Sequence, residues 1–118
     1  MKPRAYLVDD EPLALARLAR LLEGTGRVDI VGSTTQPEEA VLALTKAPPD
    51  VCFLDIQMPR LNGYETLAAL RQDPLTGTIP FVFLSGLADR KQFRQGMGLG
   101  ADDYLTKPFG NRELLARI

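Results

Sequence analysis

The stretch Val51–Gly63, with the sequence VCFLDIQMPRLNG, decides the fold of this chain. It opens with four apolar residues that run into Asp55, and a proline and an Asn-Gly pair follow within eight positions. A short apolar run bounded by turn-forming residues is typical of a parallel strand that is buried on both faces. Because open α/β sheets bind ligands at the carboxyl ends of their strands, Asp55 is a candidate functional residue.

Similar apolar runs recur along the chain and alternate with amphipathic stretches. The predicted strands span residues 5–8, 28–31, 51–55, 81–84 and 103–106. The predicted helices span residues 12–23, 35–47, 63–72, 89–99 and 111–118. Five alternations of strand and helix predict a parallel sheet that is covered by helices on both faces.

Turn and capping residues mark the ends of these helices. Pro12 suits the first turn of the first helix, and Gly24 is predicted to end that helix. Thr35 and Glu38 have the spacing of a capping box at the start of the second helix. An interior glycine costs a helix about 1 kcal/mol relative to alanine, so the glycines within 89–99 predict that this helix is the least stable of the five.

The composition limits the class of protein. The 118 residues are enough for one domain, and 14 basic against 15 acidic residues leave no basic surface of the kind that nucleic-acid binding requires. The single cysteine excludes an internal disulfide, and the absence of histidine excludes histidine-based acid–base catalysis and metal ligation. Because no apolar run reaches about 18 residues and no signal-peptide pattern occurs, we expect a cytoplasmic protein without a membrane segment.

Polar residues follow four of the predicted strands. Asp9 and Asp10 follow the first strand, Asp55 ends the third, Ser85 follows the fourth and Lys107 follows the fifth. The carboxyl ends of parallel strands share one edge of the sheet. We therefore expect three carboxylates, one hydroxyl and one ammonium to meet there, although they are scattered over the whole chain.

Such a cluster has a definite chemistry. Two unit charges about 4 Å apart repel by about 1 to 4 kcal/mol near a protein surface, and a hard divalent cation relieves that repulsion. Carboxylates, main-chain carbonyls and water suit Mg²⁺, and the lack of Cys or His ligands argues against zinc. A carboxylate at such a site can attack phosphorus to give an aspartyl phosphate, while Lys107 and Ser85 stabilise charge on the phosphoryl oxygens.

Taken together, these motifs resemble the receiver domain of two-component response regulators. The matching residues stand in the family's order: Asp9-Asp10, Asp55 with Met58-Pro59, Ser85-Gly86, and the run from Tyr104 to Phe109. The resemblance covers essentially the whole chain. It implies a flavodoxin-like, doubly wound sheet of five parallel strands in the order 2-1-3-4-5, with helices on both faces. It also implies that Asp55 is phosphorylated by a partner's phosphohistidine and that the domain then switches conformation.

The resemblance further implies a set of metal ligands. Asp10, Asp55 and the main-chain carbonyl of Gln57 would bind Mg²⁺, and Asp9 would assist through water. The Gln57 side chain would lie near the phosphoryl group, at a position that influences how long the phosphate survives.

Two further roles follow from the same resemblance. Ser85 and Lys107 would contact the phosphoryl group. When Ser85 is drawn towards that group, Tyr104 would change rotamer. Asp55 would thus be both the acceptor of the phosphoryl group and the origin of a conformational switch. The resemblance also implies that the domain assists its own phosphorylation and dephosphorylation and is not otherwise an enzyme.

The resemblance also implies partners. We expect a histidine kinase or a histidine phosphotransfer protein as the phosphodonor, and a homodimer through the last two helices and the last strand. We expect no direct nucleic-acid binding by this domain. Residues 1–118 would form a single receiver domain whose last helix is short for the family, so the chain is predicted to be a fragment of a longer response regulator or hybrid protein.

Two other functions fit parts of the pattern. A Mg²⁺-dependent phosphatase with an aspartate nucleophile would favour a second aspartate two positions after Asp55, where this chain has Gln57. A receiver-like interaction module that is never phosphorylated would be expected to lack one of the five polar residues at the sheet edge, and none is missing. Both alternatives stay open at this point.

Overall fold

The computed structural model describes residues 2–55, 68, 70–72, 74, 76–77, 79–85 and 103–106, with the backbone alone at 37, 83, 85 and 103–106. The elements with defined bounds are β1 (Arg4–Val8), α1 (Pro12–Thr25), β2 (Asp29–Thr34), α2 (Pro37–Lys46), β3 (Val51–Asp55), β4 (Phe81–Ser85) and β5 (Asp103–Thr106). Residues 68 and 70–72 are helical, in agreement with the predicted helix 63–72. The predicted helices 89–99 and 111–118, and the low stability expected of the first, lie outside the described residues.

The strands form one parallel sheet in the order β2-β1-β3-β4-β5. Val8 lies opposite Leu54, and Leu54 lies opposite Phe83, so the middle of the sheet is in register. Strands β1, β3 and β4 each have a neighbour on both sides. Their unbroken apolar runs are what an interior parallel strand requires. The predicted sheet and its strand order are confirmed.

Each face of the sheet packs against a described helix. Because successive strand residues point to opposite faces, β3 places Leu54 on one face and Phe53 on the other. On the face covered by α2, the buried cluster is Val8, Ala40, Leu44, Cys52, Leu54, Leu70, Ile79 and Phe81. On the face covered by α1, it is Ala5, Leu7, Leu18, Leu22, Val28, Phe53, Val82 and Leu84. Each fully buried Leu or Phe contributes about 1.5–3 kcal/mol, so both faces hold the helices in place.

Helix α1 ends later than the sequence predicted. It begins at Pro12, as expected, but it continues through Gly24 to Thr25. Gly26 then adopts the left-handed conformation with φ 66°, and its N–H donates to the carbonyl of Glu23. Only glycine takes that conformation without steric cost, so Gly26 and not Gly24 ends the helix.

The start of α2 corrects a second prediction. Thr35 and Glu38 do not form a capping box: Gln36 precedes the helix without a side-chain cap, and Pro37 is its first residue. The hydroxyl that shapes this turn belongs to Thr34, which accepts a hydrogen bond from the Gln36 N–H at 3.0 Å. The threonine at the turn is thus one residue earlier than predicted. The reason is that β2 runs to Thr34, three residues beyond its predicted end.

Strand β2 is longer because it follows β1 along its whole length. The register shifts between Ala5 and Tyr6, so that Tyr6 lies opposite Gly32. A Cβ atom on Gly32 would come within 2.7 Å of the Tyr6 ring. Glycine at this position therefore leaves room for the Tyr6 ring to approach the edge strand closely.

The loop before β4 is anchored by Arg71. Its Nη1 donates to the carbonyls of Gly77 and Ile79, both at 2.7 Å, and its guanidinium lies 4.9 Å from the centroid of the Phe81 ring. These contacts hold the loop beside the first residue of β4. Among the described helices, none combines the length and the apolar character that crossing a lipid bilayer requires.

Candidate metal centre

Three carboxylates meet at the carboxyl-terminal edge of the sheet. Asp9 and Asp10 directly follow β1, and Asp55 is the last residue of the neighbouring strand β3. One carboxylate oxygen from each lies within 4.8 Å of the other two. Asp9 and Asp55 are only 1% and 4% exposed, and Asp10 is half-buried. The structure thus brings these three residues together as the sequence predicted.

Asp9 is held at both its main chain and its side chain. Its N–H donates to the carbonyl of Thr34 at 3.2 Å, which continues the β1–β2 ladder one residue past Val8. Its Oδ1 accepts a hydrogen bond from the N–H of Glu11 at 3.0 Å. The second contact fixes the carboxylate across the turn that leads into α1.

The cluster has the electrostatics of a cation site. Like charges this close repel by about 1 to 4 kcal/mol per pair at surface-like dielectric, and burial of two of them reduces the relief that water provides. The donors are all oxygen atoms, which suits Mg²⁺ better than a soft metal. Cys52 offers no competing ligand, because it is fully buried in the core and burial raises the pKa of its thiol. The residues present therefore fit a hard divalent cation.

The backbone places one further predicted site residue, Ser85, at this edge, and it places Tyr104 two residues before the end of β5. Asp55 lies opposite Leu84, so Ser85 is the next residue along β4 at the same end of the sheet. Ser85 in turn lies opposite Thr106, the last residue of β5, and Tyr104 lies opposite Phe83. Gln57 and Lys107 lie outside the described residues, so their predicted roles stay predictions.

Sequence reasoning missed Thr34, whose carbonyl holds the Asp9 main chain. A threonine at the end of a strand has no special meaning until its neighbours are known. The signal in the sequence is a threonine hydroxyl just before the turn into α2. The capping-box pattern attributes that role to Thr35 and not to Thr34.

A parallel sheet of this order, covered on both faces and carrying three carboxylates at its carboxyl-terminal edge, defines a receiver-type α/β domain. The sequence matches the family described as the response regulator receiver domain over residues 5–118, and the chain belongs to that family. It is therefore a signalling domain of two-component systems, and the predicted fold class and general function are confirmed.

Individual relatives agree with this assignment. The phosphate regulon transcriptional regulatory protein PhoB of Pseudomonas aeruginosa is 38% identical over 112 residues, which cover 95% of this chain and 48% of the relative. The chain spans about half the length of the curated relatives it matches. The relatives named as transcriptional regulators thus extend well beyond the matched region.

Solved structures share the fold. A candidate response regulator from Chloroflexus aurantiacus superposes with a TM-score of 0.92 at 32% identity, covering 99% of this chain and 94% of that one. The receiver domain of the sensor histidine kinase PA1611 from Pseudomonas aeruginosa superposes with a TM-score of 0.87 at 23% identity, covering 99% and 94%. That second structure has a magnesium ion coordinated in its active site cleft.

Proposed function

We propose that this receiver domain accepts a phosphoryl group from a partner's phosphohistidine onto Asp55, in a Mg²⁺-dependent reaction, and that it switches conformation as a result. The observation that carries the proposal is the meeting of Asp9, Asp10 and Asp55 within 4.8 Å at the edge of the sheet. The cluster supplies both a nucleophile and the ligands for a charge-neutralising ion.

The roles proposed for the carboxylates are those that the family resemblance implies. Asp10, Asp55 and the main-chain carbonyl of Gln57 would hold Mg²⁺, with Asp9 acting through water. A bound Mg²⁺ supplies positive charge that offsets the charge on the phosphoryl oxygens. Asp9 is held in place by two hydrogen bonds, one at its N–H and one at its carboxylate.

Asp55 would be the nucleophile. One carboxylate oxygen forms a bond to phosphorus while the bond between phosphorus and the imidazole nitrogen of the donor breaks, and the electron pair stays on the imidazole. The 4% exposure of Asp55 limits access of bulk water, which favours transfer over hydrolysis. Later hydrolysis of the aspartyl phosphate restores the carboxylate, so the domain would assist both steps without being a turnover enzyme.

Ser85 and Lys107 would complete the site. The backbone at Ser85 lies at the same sheet edge as Asp55, which supports a contact from its hydroxyl to a phosphoryl oxygen. Lys107 follows Thr106 at the end of β5 and would supply an ammonium. Tyr104 would then respond to the movement of Ser85.

The partners of this chain belong to the same proposal. The donor would be a histidine kinase or a histidine phosphotransfer protein, and a homodimer would form through β5 and the last two helices. The domain itself would not contact nucleic acid, and it would act in the cytoplasm as one receiver domain of a longer regulator. The relatives named as transcriptional regulators are about twice as long as this chain, which supports a separate output region outside the receiver domain.

Phosphorylation with acetyl phosphate tests the proposal. With Mg²⁺, intact-mass spectrometry should show one phosphoryl group per chain, stable in acid and labile in base. Asp55→Asn should abolish the label because the amide is not a nucleophile. Asp29→Asn is the matched control, since Asp29 is exposed at the start of β2 on the opposite edge.

Each other outcome would favour a different function. Persistent labelling of Asp55→Asn would place the acceptor elsewhere. An unlabelled wild-type chain would favour a receiver-like interaction module. Repeated turnover of a small phosphate ester would favour a phosphatase with an aspartate nucleophile.

A further inference from the structure

The end of β2 is linked to the carboxylate cluster through Thr34. The Thr34 carbonyl accepts the hydrogen bond from the N–H of Asp9, a residue that is 1% exposed. Any movement of the Thr34 main chain therefore reaches the backbone of Asp9 directly. Asp10 is the next residue, so the same movement changes its position as well.

Thr34 is itself held by its hydroxyl. The hydroxyl donates to Oε2 of Glu39 at 2.8 Å and accepts from the N–H of Gln36 at 3.0 Å. A hydroxyl has a single hydrogen, so the longer 3.4 Å approach to the Gln36 carbonyl is not made at the same time. Because Thr34 is only 7% exposed, water does not readily replace these bonds.

Glu39 ties this arrangement to α2. It is the third residue of that helix, and its carboxylate reaches back over the turn to the Thr34 hydroxyl. The helix is in turn fixed to the sheet by the buried side chains of Ala40 and Leu44. A packed helix therefore sets the position of the last residue of β2.

We propose that Thr34 and Glu39 are positioning residues for the metal centre, and that their hydrogen bond sets the Mg²⁺ affinity of the carboxylate cluster. The proposal rests on the proposed function, because it assumes that the cluster binds Mg²⁺. Groups that orient metal ligands through hydrogen bonds typically change metal affinity by about 10- to 100-fold when they are removed. Thr34 acts one step further out, through the main chain of Asp9, so the expected effect is smaller.

Mg²⁺ titration of the full chain by isothermal calorimetry tests this link. Thr34→Val keeps the shape of the side chain but removes both hydrogen bonds, and it should weaken Mg²⁺ binding by about three- to tenfold. Thr34→Ser keeps the hydroxyl and should retain near wild-type affinity. Glu39→Ala removes one of the two bonds and should weaken binding by about two- to threefold.

A matched control separates positioning from charge. Glu38→Ala makes the same change of charge one residue away, and the Glu38 side chain forms no hydrogen bond or ion pair within the described part of the chain. Glu38→Ala should leave the Mg²⁺ affinity within experimental error of wild type. Equal weakening by Glu38→Ala and Glu39→Ala would mean that the helix charge acts on the ion, and the proposal would be wrong.

A double variant separates positioning from general destabilisation. In the Thr34→Val background, Glu39→Ala should weaken Mg²⁺ binding no further, because the bond between the two residues is already absent. The free energy of unfolding, measured by urea denaturation in EDTA, reports the structural cost independently. A Thr34→Val chain that loses stability yet binds Mg²⁺ like wild type would overturn the proposal, whereas a wild-type chain that binds no Mg²⁺ would overturn the proposed function itself.

Discussion

The two edges of the sheet use charge in opposite ways. At the amino-terminal edge, Arg4 and Asp50 form an ion pair with an Nε–Oδ2 distance of 3.6 Å. The Arg4 N–H donates to Asp50 Oδ2 at 2.7 Å, and the Asp50 N–H donates to the Arg4 carbonyl at 2.8 Å. At the carboxyl-terminal edge, Asp9, Asp10 and Asp55 bring three charges of one sign within 4.8 Å.

The comparison shows that charge stabilises the fold at the amino-terminal edge and destabilises it at the carboxyl-terminal edge. Opposite charges at the first edge attract, and both side chains are about half exposed, so the pair adds a small stabilisation that water and salt weaken. Like charges at the second edge repel, and two of them are almost fully buried. Under the proposed function this edge would receive a cation and a phosphoryl group, and the repulsion among its carboxylates would be relieved only when the ligand binds.

Mg²⁺ should give the largest effect. Because the ion binds the folded chain and the unfolded chain has no preformed site, a concentration 100 times the dissociation constant should raise the free energy of unfolding by about 2.7 kcal/mol. Urea denaturation with Mg²⁺ and with EDTA measures the difference. Identical unfolding curves under the two conditions would show that the edge with three carboxylates has no affinity for the ion.

Asp10→Asn should have a smaller effect, and it should stabilise the chain when Mg²⁺ is absent. Removing one of three like charges should raise the free energy of unfolding in EDTA by about 1 kcal/mol, because less repulsion remains. The variant should also lose most of the stabilisation by Mg²⁺. Glu11→Gln, an exposed neighbour with the same change of charge, is the control and should change both quantities less. A destabilised Asp10→Asn chain in EDTA would contradict the picture of a strained edge.

Asp50→Ala should have the smallest effect. Loss of the half-exposed ion pair and of the Arg4 contacts should lower the free energy of unfolding by about 0.5–1 kcal/mol. The stabilisation by Mg²⁺ should be unchanged, because this edge lies at the far end of the strands. Urea denaturation with and without Mg²⁺ again provides both numbers. Altered Mg²⁺ stabilisation in this variant would mean that the two edges are coupled.

The sheet was predictable because its signals are local and repeated. The apolar run that ends in Asp55 identifies a buried parallel strand by itself, and its recurrence before Asp9 and Ser85 predicts that these ends meet. Geometry does the rest, since parallel strands must place their carboxyl ends at one edge. The clustering of Asp9, Asp10 and Asp55 also needed the strand order, which places β1 beside β3 and which the family resemblance implied.

Two predicted details were wrong for different reasons. Gly24 and Gly26 are both plausible helix ends in the sequence, and the backbone selects Gly26 because that residue takes the left-handed conformation. The end of β2 at Thr34 depends on pairing with β1, which is distant in sequence. The capping box predicted at Thr35 therefore lies one residue from the threonine that shapes the turn.

By itself, the sequence determined the alternation of strands and helices, the order of the sheet through its family resemblance, and the acidic character of one edge. Only the tertiary structure decided which threonine supports Asp9 and which glutamate supports that threonine. The physical reason is range: periodicity and turn chemistry act over a few residues. A hydrogen bond between the end of one strand and the first turn of a packed helix exists only after the sheet has set the register of that strand.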